Sequence, residues 1–176
     1  FEAVQLLASR GYVRMTAGDP AGAVADAREA TAMLDRVAPD NVGLAQTIAS
    51  NEAAALRADG RCPEAITVLE RAMARDPERS LTVTLGNLGE LAVAQAECGE
   101  RAAALASMAA AIAGAPPTSR LRANLALAEA TIRDADDVAA RATSLMLARA
   151  IAVRDGDAAL LARIDEAERR DYSRVR

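Results

Sequence analysis

The sequence predicts an all-α chain, an α-solenoid of antiparallel helix pairs. Three observations carry the prediction. Ala, Leu, Arg and Glu dominate the composition, with 46 Ala among 176 residues, and all four are strong helix formers. Gly and Pro cut the chain into segments of about 13 to 19 residues, the length of ordinary helices. A pattern of small residues recurs around Gly18, Gly60 and Gly99.

The elements follow from the punctuation. A helix over 1–16 stops before Gly18-Asp19-Pro20, and the next, over 20–36, opens on Pro20, whose fixed φ and missing donor suit a first turn. Pro39-Asp40-Asn41 ends that helix and leads into a third over 42–58. Gly60-Arg61-Cys62-Pro63 breaks the chain again, and Pro63 opens a helix over 63–75 that ends at Asp76-Pro77. The fifth, over 80–97, begins with Leu81-Thr82-Val83-Thr84, the best strand candidate in the chain, which runs straight into helical spacing. Gly99 separates it from a helix over 101–113, which Pro116-Pro117 closes. Helices over 118–133 and 136–154 meet at the acidic turn Asp134 to Asp137. After Gly156-Asp157 a ninth helix, 157–170, sets Leu160, Leu161, Ile164 and Ala167 on one side among charged residues, as a solvated cap on a stack should.

The pattern around the turn glycines is regular. Seven residues before each stands Gly11, Ala53 or Ala92; five after stands Ala23, Ala65 or Ala104; seven further stands Ala30, Ala72 or Ala111. Ala27, Leu69 and Met108 lie midway, and Pro77 and Pro116 close two of the copies. A fourth copy aligns Ala128, Ala135, Ala140, Ser144 and Leu147. Small residues on facing sides let two helices approach, and the larger residue between them fills the groove. Such a pair cannot bury its apolar face alone, so it stacks on the next.

The stretch Ala53 to Pro77, with Leu91-Ala92 and Leu127-Ala128, resembles the tetratricopeptide repeat family. The resemblance covers about 11–150. The first-helix aromatics of the family are replaced by Leu7, Leu88 and similar residues. The spacing is 42 residues from Gly18 to Gly60 and 39 from Gly60 to Gly99, longer than the family's usual repeat of about 34. Long repeats of this kind are similar to those of large multidomain bacterial regulators and signalling ATPases. The resemblance implies one domain of about four repeats, at 1–38, 42–78, 80–116 and 118–154, with a cap at 157–170. The chain lacks an initiator Met and reads as a fragment of a larger protein; abundant Ala and Arg with no Lys suggest a high-GC bacterial coding sequence.

Composition excludes much chemistry. There is no His, so neither a Ser-His-Asp triad nor an imidazole metal ligand is available. There is no Lys, so neither a phosphate loop nor a Schiff base can form. A non-catalytic protein with no cofactor and no metal is expected. A net charge of −4 and few aromatics argue against direct nucleic-acid binding. The longest low-polarity run, Ala102 to Ala115, is too short for a membrane span. With no signal peptide, a cytoplasmic protein is expected. Cys62 and Cys98 read as two free thiols in a reducing compartment, with a bridge between neighbouring turns and a redox switch as the alternatives.

What remains is an interaction module that takes a protein or peptide partner, the regulatory part of a larger bacterial protein. The alternative is a ligand- or signalling-peptide-sensing domain of a transcriptional regulator or signalling ATPase. The ends of such a stack also offer a place for a second copy. Registering the four copies puts Gln5, Ser9, Tyr12, Ser50, Asn51, Arg57, Glu90, Arg122, Glu129 and Arg133 on or near the groove lined by the first helix of each pair. The resemblance implies that an Asn at the position of Asn51 can clamp a peptide backbone or C-terminal carboxylate. Ala8, Tyr12, Gly86 and Glu90 stand where the rest of the carboxylate clamp would be, so chaperone-tail binding is not expected. Gly86 and Gly89 follow no strand, so they are not a nucleotide loop; they mark either open groove surface or a close helix contact. Asp134, Asp136 and Asp137 read as capping residues, and the Arg-rich tail at Arg163 to Arg176 as a solvated end.

Overall fold

The structure, a computed structural model, describes residues 2–75, 81–133 and 137–174, with backbone alone at 81–82 and 170–174. The chain is all-α, 85% helical, with no strand among the described residues. The helices are α1 (Glu2–Thr16), α2 (Pro20–Val37), α3 (Val42–Ala58), α4 (Cys62–Ala74), α5 (Leu81–Glu97), α6 (Arg101–Gly114), α7 (Arg120–Ile132), α8 (Val138–Asp155) and α9 (Ala158–Arg174). Each expected helix is present within two residues at the boundaries its sequence signals set, except that α9 runs on past 170. The strand-like run at 81–84 is the first turn of α5. Pro77, Asp134, Ala135 and Asp136 lie outside the described residues.

Local chemistry sets the ends. Asp19, Asn41 and Ser119 cap α2, α3 and α7 by accepting from the amides of Gly22 (2.9 Å), Leu44 (3.1 Å) and Arg122 (3.1 Å). Gly18, Gly60 and Gly99 all adopt positive φ, at 85°, 74° and 83°, which explains why Gly stands at these turns. Asp137 occupies the cap position of α8 but makes no capping bond. Its carboxylate accepts from Arg133 instead (2.8 Å), which corrects the capping role expected of it.

Each helix packs on the next in sequence, and each odd helix also touches the next odd helix from α1 to α9. Among the described residues the backbones of the even helices stay apart, although α2 reaches α4 through the Arg28–Glu64 ion pair. The result is a layer of odd helices side by side with the even helices behind them. The apolar core is correspondingly divided along the chain. Val4, Leu34 and Ile48 centre the first cluster, Leu56 and Leu69 the second, Met108 the third, and Leu160 and Ile164 the last. That distribution is what stacking units produce.

The small-residue register holds through three pairs. Gly11, Ala53 and Ala92 are buried, as are Ala23, Ala65 and Ala104, and Ala30, Ala72 and Ala111. In the fourth pair it slips. Of its aligned positions Ser144 is buried, but Ala128, Ala140 and Leu147 are only half-buried, while Ala130, Arg141, Leu145 and Ala148 are buried. The buried positions of α7 match those of α3 and α5 when Ala130, not Ala128, is aligned with Ala53 and Ala92. The register of α7 therefore lies two residues further along than the sequence pattern indicates, and that of α8 one residue further.

Cys62 and Cys98 are bonded to each other, with Cα atoms 5.9 Å apart. This corrects the expectation of free thiols and removes that support for a reducing compartment. No helix among the described residues is long and apolar enough to cross a membrane.

Candidate functional site

On a helix, positions i, i+4, i+7 and i+11 share one face. Counted from the buried small residue of each odd helix, one such stripe stays uncovered along the layer. In α1 it is Gln5, Ser9, Tyr12 and Thr16, all exposed. In α3 it is Thr47, Asn51, Ala54 and Ala58, and in α5 Gly86, Glu90, Val93 and Glu97, all exposed or half-buried. In α7 the corrected register gives Asn124, Ala128 and Thr131. This inner face is the candidate site. Tyr12, 55% exposed, is its large aromatic. Asn51 makes no side-chain hydrogen bond to another described residue, which leaves both its donors and its acceptor for a ligand.

The expected groove residues divide into two groups. Ser9, Tyr12, Asn51 and Glu90, with Gln5, fall on the face, and Ser50 lies half-buried at its edge. Arg57 is engaged within the chain. Its Nε and Nη2 fork onto Glu97 (2.9 and 3.1 Å) and its Nη1 reaches Glu90 (2.5 Å). Burial pulls its guanidinium down, but the bonds to Glu97 and the charges of Glu90 and Glu97 hold it above its ordinary value. Arg57 therefore fastens α3 to α5.

The other three turn away. Arg122 donates to the Ala115 carbonyl (3.1 Å) at the end of α6. Glu129 accepts from Ser144 of α8 (2.7 Å) and from Arg133 (2.7 Å), which also holds Asp137. These bonds tie α7 to its turns and to α8. The shifted register of α7 is the reason, since moving two residues along exchanges Arg122 and Glu129 for Asn124 and Thr131. Asn124 itself accepts from Arg163 of α9 (2.9 Å), so the cap helix borders the face. With Arg57 paired and Arg122 and Arg133 elsewhere, the face is neutral to acidic rather than arginine-lined.

A second concavity was not foreseen. Because the backbones of α2 and α4 stay apart, a cleft of about 620 Å³ opens between them, floored by Ala45 and Ala49 of α3. Arg28 bridges Glu52 (2.9 Å) and Glu64 (3.4 Å) at one place along it, and Arg75 meets Asp35 (2.6 Å) at another. Arg71, Val68 and Ala72 line it from α4. The signal in the sequence was the small residues Ala45, Ala49 and Ala72, which the general excess of Ala hides.

Both expectations for the glycines of α5 hold, one at each position. A β-carbon at Gly86 would meet nothing within 4 Å, whereas one at Gly89 would overlap Leu125 Cδ2 of α7. Among the described residues no group of three His, Cys, Asp or Glu side chains is placed to hold a metal. No family model matches the chain, and neither a curated protein nor a solved structure shows significant similarity to it.

Proposed function

We propose that the chain is a non-catalytic interaction module of tetratricopeptide type that holds a protein or peptide partner on its inner face. The observation that carries this reading is the uncovered stripe running from Gln5, Ser9 and Tyr12 through Asn51, with side-chain hydrogen-bonding groups left open at Asn51 and an aromatic at Tyr12. An Asn amide can bond an extended backbone, and a Tyr ring can anchor a side chain at low entropic cost. The neutral-to-acidic surface favours a partner segment that is polar or basic over a polyanion. Peptides from a displayed library, selected on the purified protein, test the reading. Hydrogen-exchange footprints of the bound peptides should fall on α1 and α3. Footprints confined to α2, α4 or α8 would oppose it.

One observation favours a second reading, a ligand-sensing domain. A molecule seated in the cleft between α2 and α4 would bridge two outer helices whose backbones stay apart, and so bias the pitch of the stack.

A further inference from the structure

The disulfide occupies a distinctive place. Cys62 lies two residues after Gly60, as the first residue of α4, and Cys98 lies one residue before Gly99, in the turn between α5 and α6. The bridge therefore joins equivalent turns of successive helix pairs across the middle joint of the stack. At the other described turns the positions equivalent to Cys62 hold Pro20 and Arg101, and those equivalent to Cys98 hold Ala17 and Asp59. None of these can form such a bridge. The same joint carries the Arg57 fork onto Glu97, the residue next to Cys98. Both cysteines are half-buried rather than enclosed in the core.

We propose that Cys62–Cys98 is a thiol–disulfide exchange site through which a dithiol reductant unlocks the joint between the second and third helix pairs. The surroundings of the two sulfurs set the direction of exchange. Cys62 is the first residue of α4, next to Arg61, where the positive end of the helix dipole favours a departing thiolate. Cys98 sits at the C-terminal end of α5 between Glu97 and Glu100, where a thiolate is disfavoured. A thiolate of the reductant attacks Cys98 Sγ, the S–S bond breaks, and Cys62 leaves as thiolate and takes up a proton. The reductant's second thiolate then displaces Cys98 Sγ and closes its own disulfide. Two electrons and two protons pass from the dithiol to the protein. The joint is then held by the Arg57–Glu97 and Arg57–Glu90 pairs and by packing, so α3 and α5, which carry the middle of the inner face, gain freedom to shift.

Three measurements on the full chain test this. Partial reduction with the monothiol β-mercaptoethanol, acid quenching and peptide mass analysis should find the mixed disulfide chiefly on Cys98; a mixed disulfide chiefly on Cys62 would overturn the assigned direction. Full reduction with dithiothreitol should leave the helical circular dichroism unchanged while amide protection at 59–61 and 98–100 falls by at least about tenfold. The Cys62→Ser/Cys98→Ser variant should match the reduced protein without any reductant. Unchanged protection, or loss of the helical signal at 25 °C in both the reduced protein and the variant, would overturn the proposal. The first result makes the bridge a passive tie, and the second makes it a staple without which the chain does not fold.

Discussion

Leu125 of α7 lies over Gly89 of α5 so closely that a β-carbon on Gly89 would overlap its Cδ2 atom. The neighbouring Gly86, one turn earlier, faces open space. Two glycines three residues apart on one helix thus answer to different causes, and substitution separates them. Gly86→Ala gains helix propensity without a clash and should stabilise the chain by about 0.5–1 kcal/mol. Gly89→Ala gains the same propensity but displaces the Leu125 side chain, so it should end at or below wild type. Urea unfolding of both variants checks this, and equal stabilisation by the two would contradict the α5–α7 contact.

The register of the fourth pair gives a second pair of variants. Ala130 is fully buried, and Ala128 is half-buried on the open face. Ala130→Leu should cost about 1–3 kcal/mol by overpacking, as should Ala104→Leu in the third pair. Ala128→Leu should change the unfolding midpoint little. If Ala128→Leu proves the costlier of the two, the register read from the sequence is the right one.

This pair also marks where sequence reasoning stops. The helices themselves are readable because Pro is costly inside a helix, and every Pro, with Gly18, Gly60, Gly99 and Gly156, falls at a break or in a first turn. Gly18, Gly60 and Gly99 set the register of three pairs because they need positive φ, a constraint that Ala cannot mimic. The fourth pair has no such glycine between its helices. Ala123, Ala126, Ala128 and Ala130 all offer small side chains, so composition does not choose among them, and Leu127-Ala128 imitates Leu91-Ala92. A register two residues short places Arg122, Glu129 and Arg133 on the inner face, whereas they bond to the turns and to α8. The fate of Arg57 was hidden for another reason, since its partner Glu97 is 40 residues away.

A buried carboxylate makes the first pair sensitive to acid. Asp26 of α2 accepts from Arg10 (2.8 and 2.6 Å) and Arg14 (3.2 Å) of α1. The hydrogen bonds from Arg10 hold its carboxyl below the ordinary value, against burial, which raises it. A carboxyl whose value is lowered on folding contributes stability that is fully present above its unfolded value of about 3.9 and is lost as pH falls through the folded value. Asp26→Asn should therefore cost about 1–3 kcal/mol at neutral pH. The gap between wild type and variant should narrow below about pH 4. A gap that is unchanged from pH 7 to pH 3 would contradict the role assigned to Asp26.

The bridge between Cys62 and Cys98 spans 36 residues of sequence. Closing a loop of that size restricts the unfolded chain by about 3–4 kcal/mol on the chain-entropy account. Reduction should therefore lower the thermal midpoint by several degrees while the chain stays helical at room temperature. An identical midpoint with and without dithiothreitol would show that the bridge does not form in solution.

The most direct test of the inner face as the binding surface is calorimetric titration of a library-selected peptide against three variants. Tyr12→Ala/Asn51→Ala should weaken binding at least tenfold, about 1.4 kcal/mol, with helix content unchanged. Arg133→Ala, which alters a side chain tied to Glu129 and Asp137, and Arg71→Ala, in the outer cleft, should each leave the affinity within about twofold of wild type. Binding that survives the double substitution but is lost with Arg71→Ala would place the partner in the cleft between α2 and α4 and contradict the account.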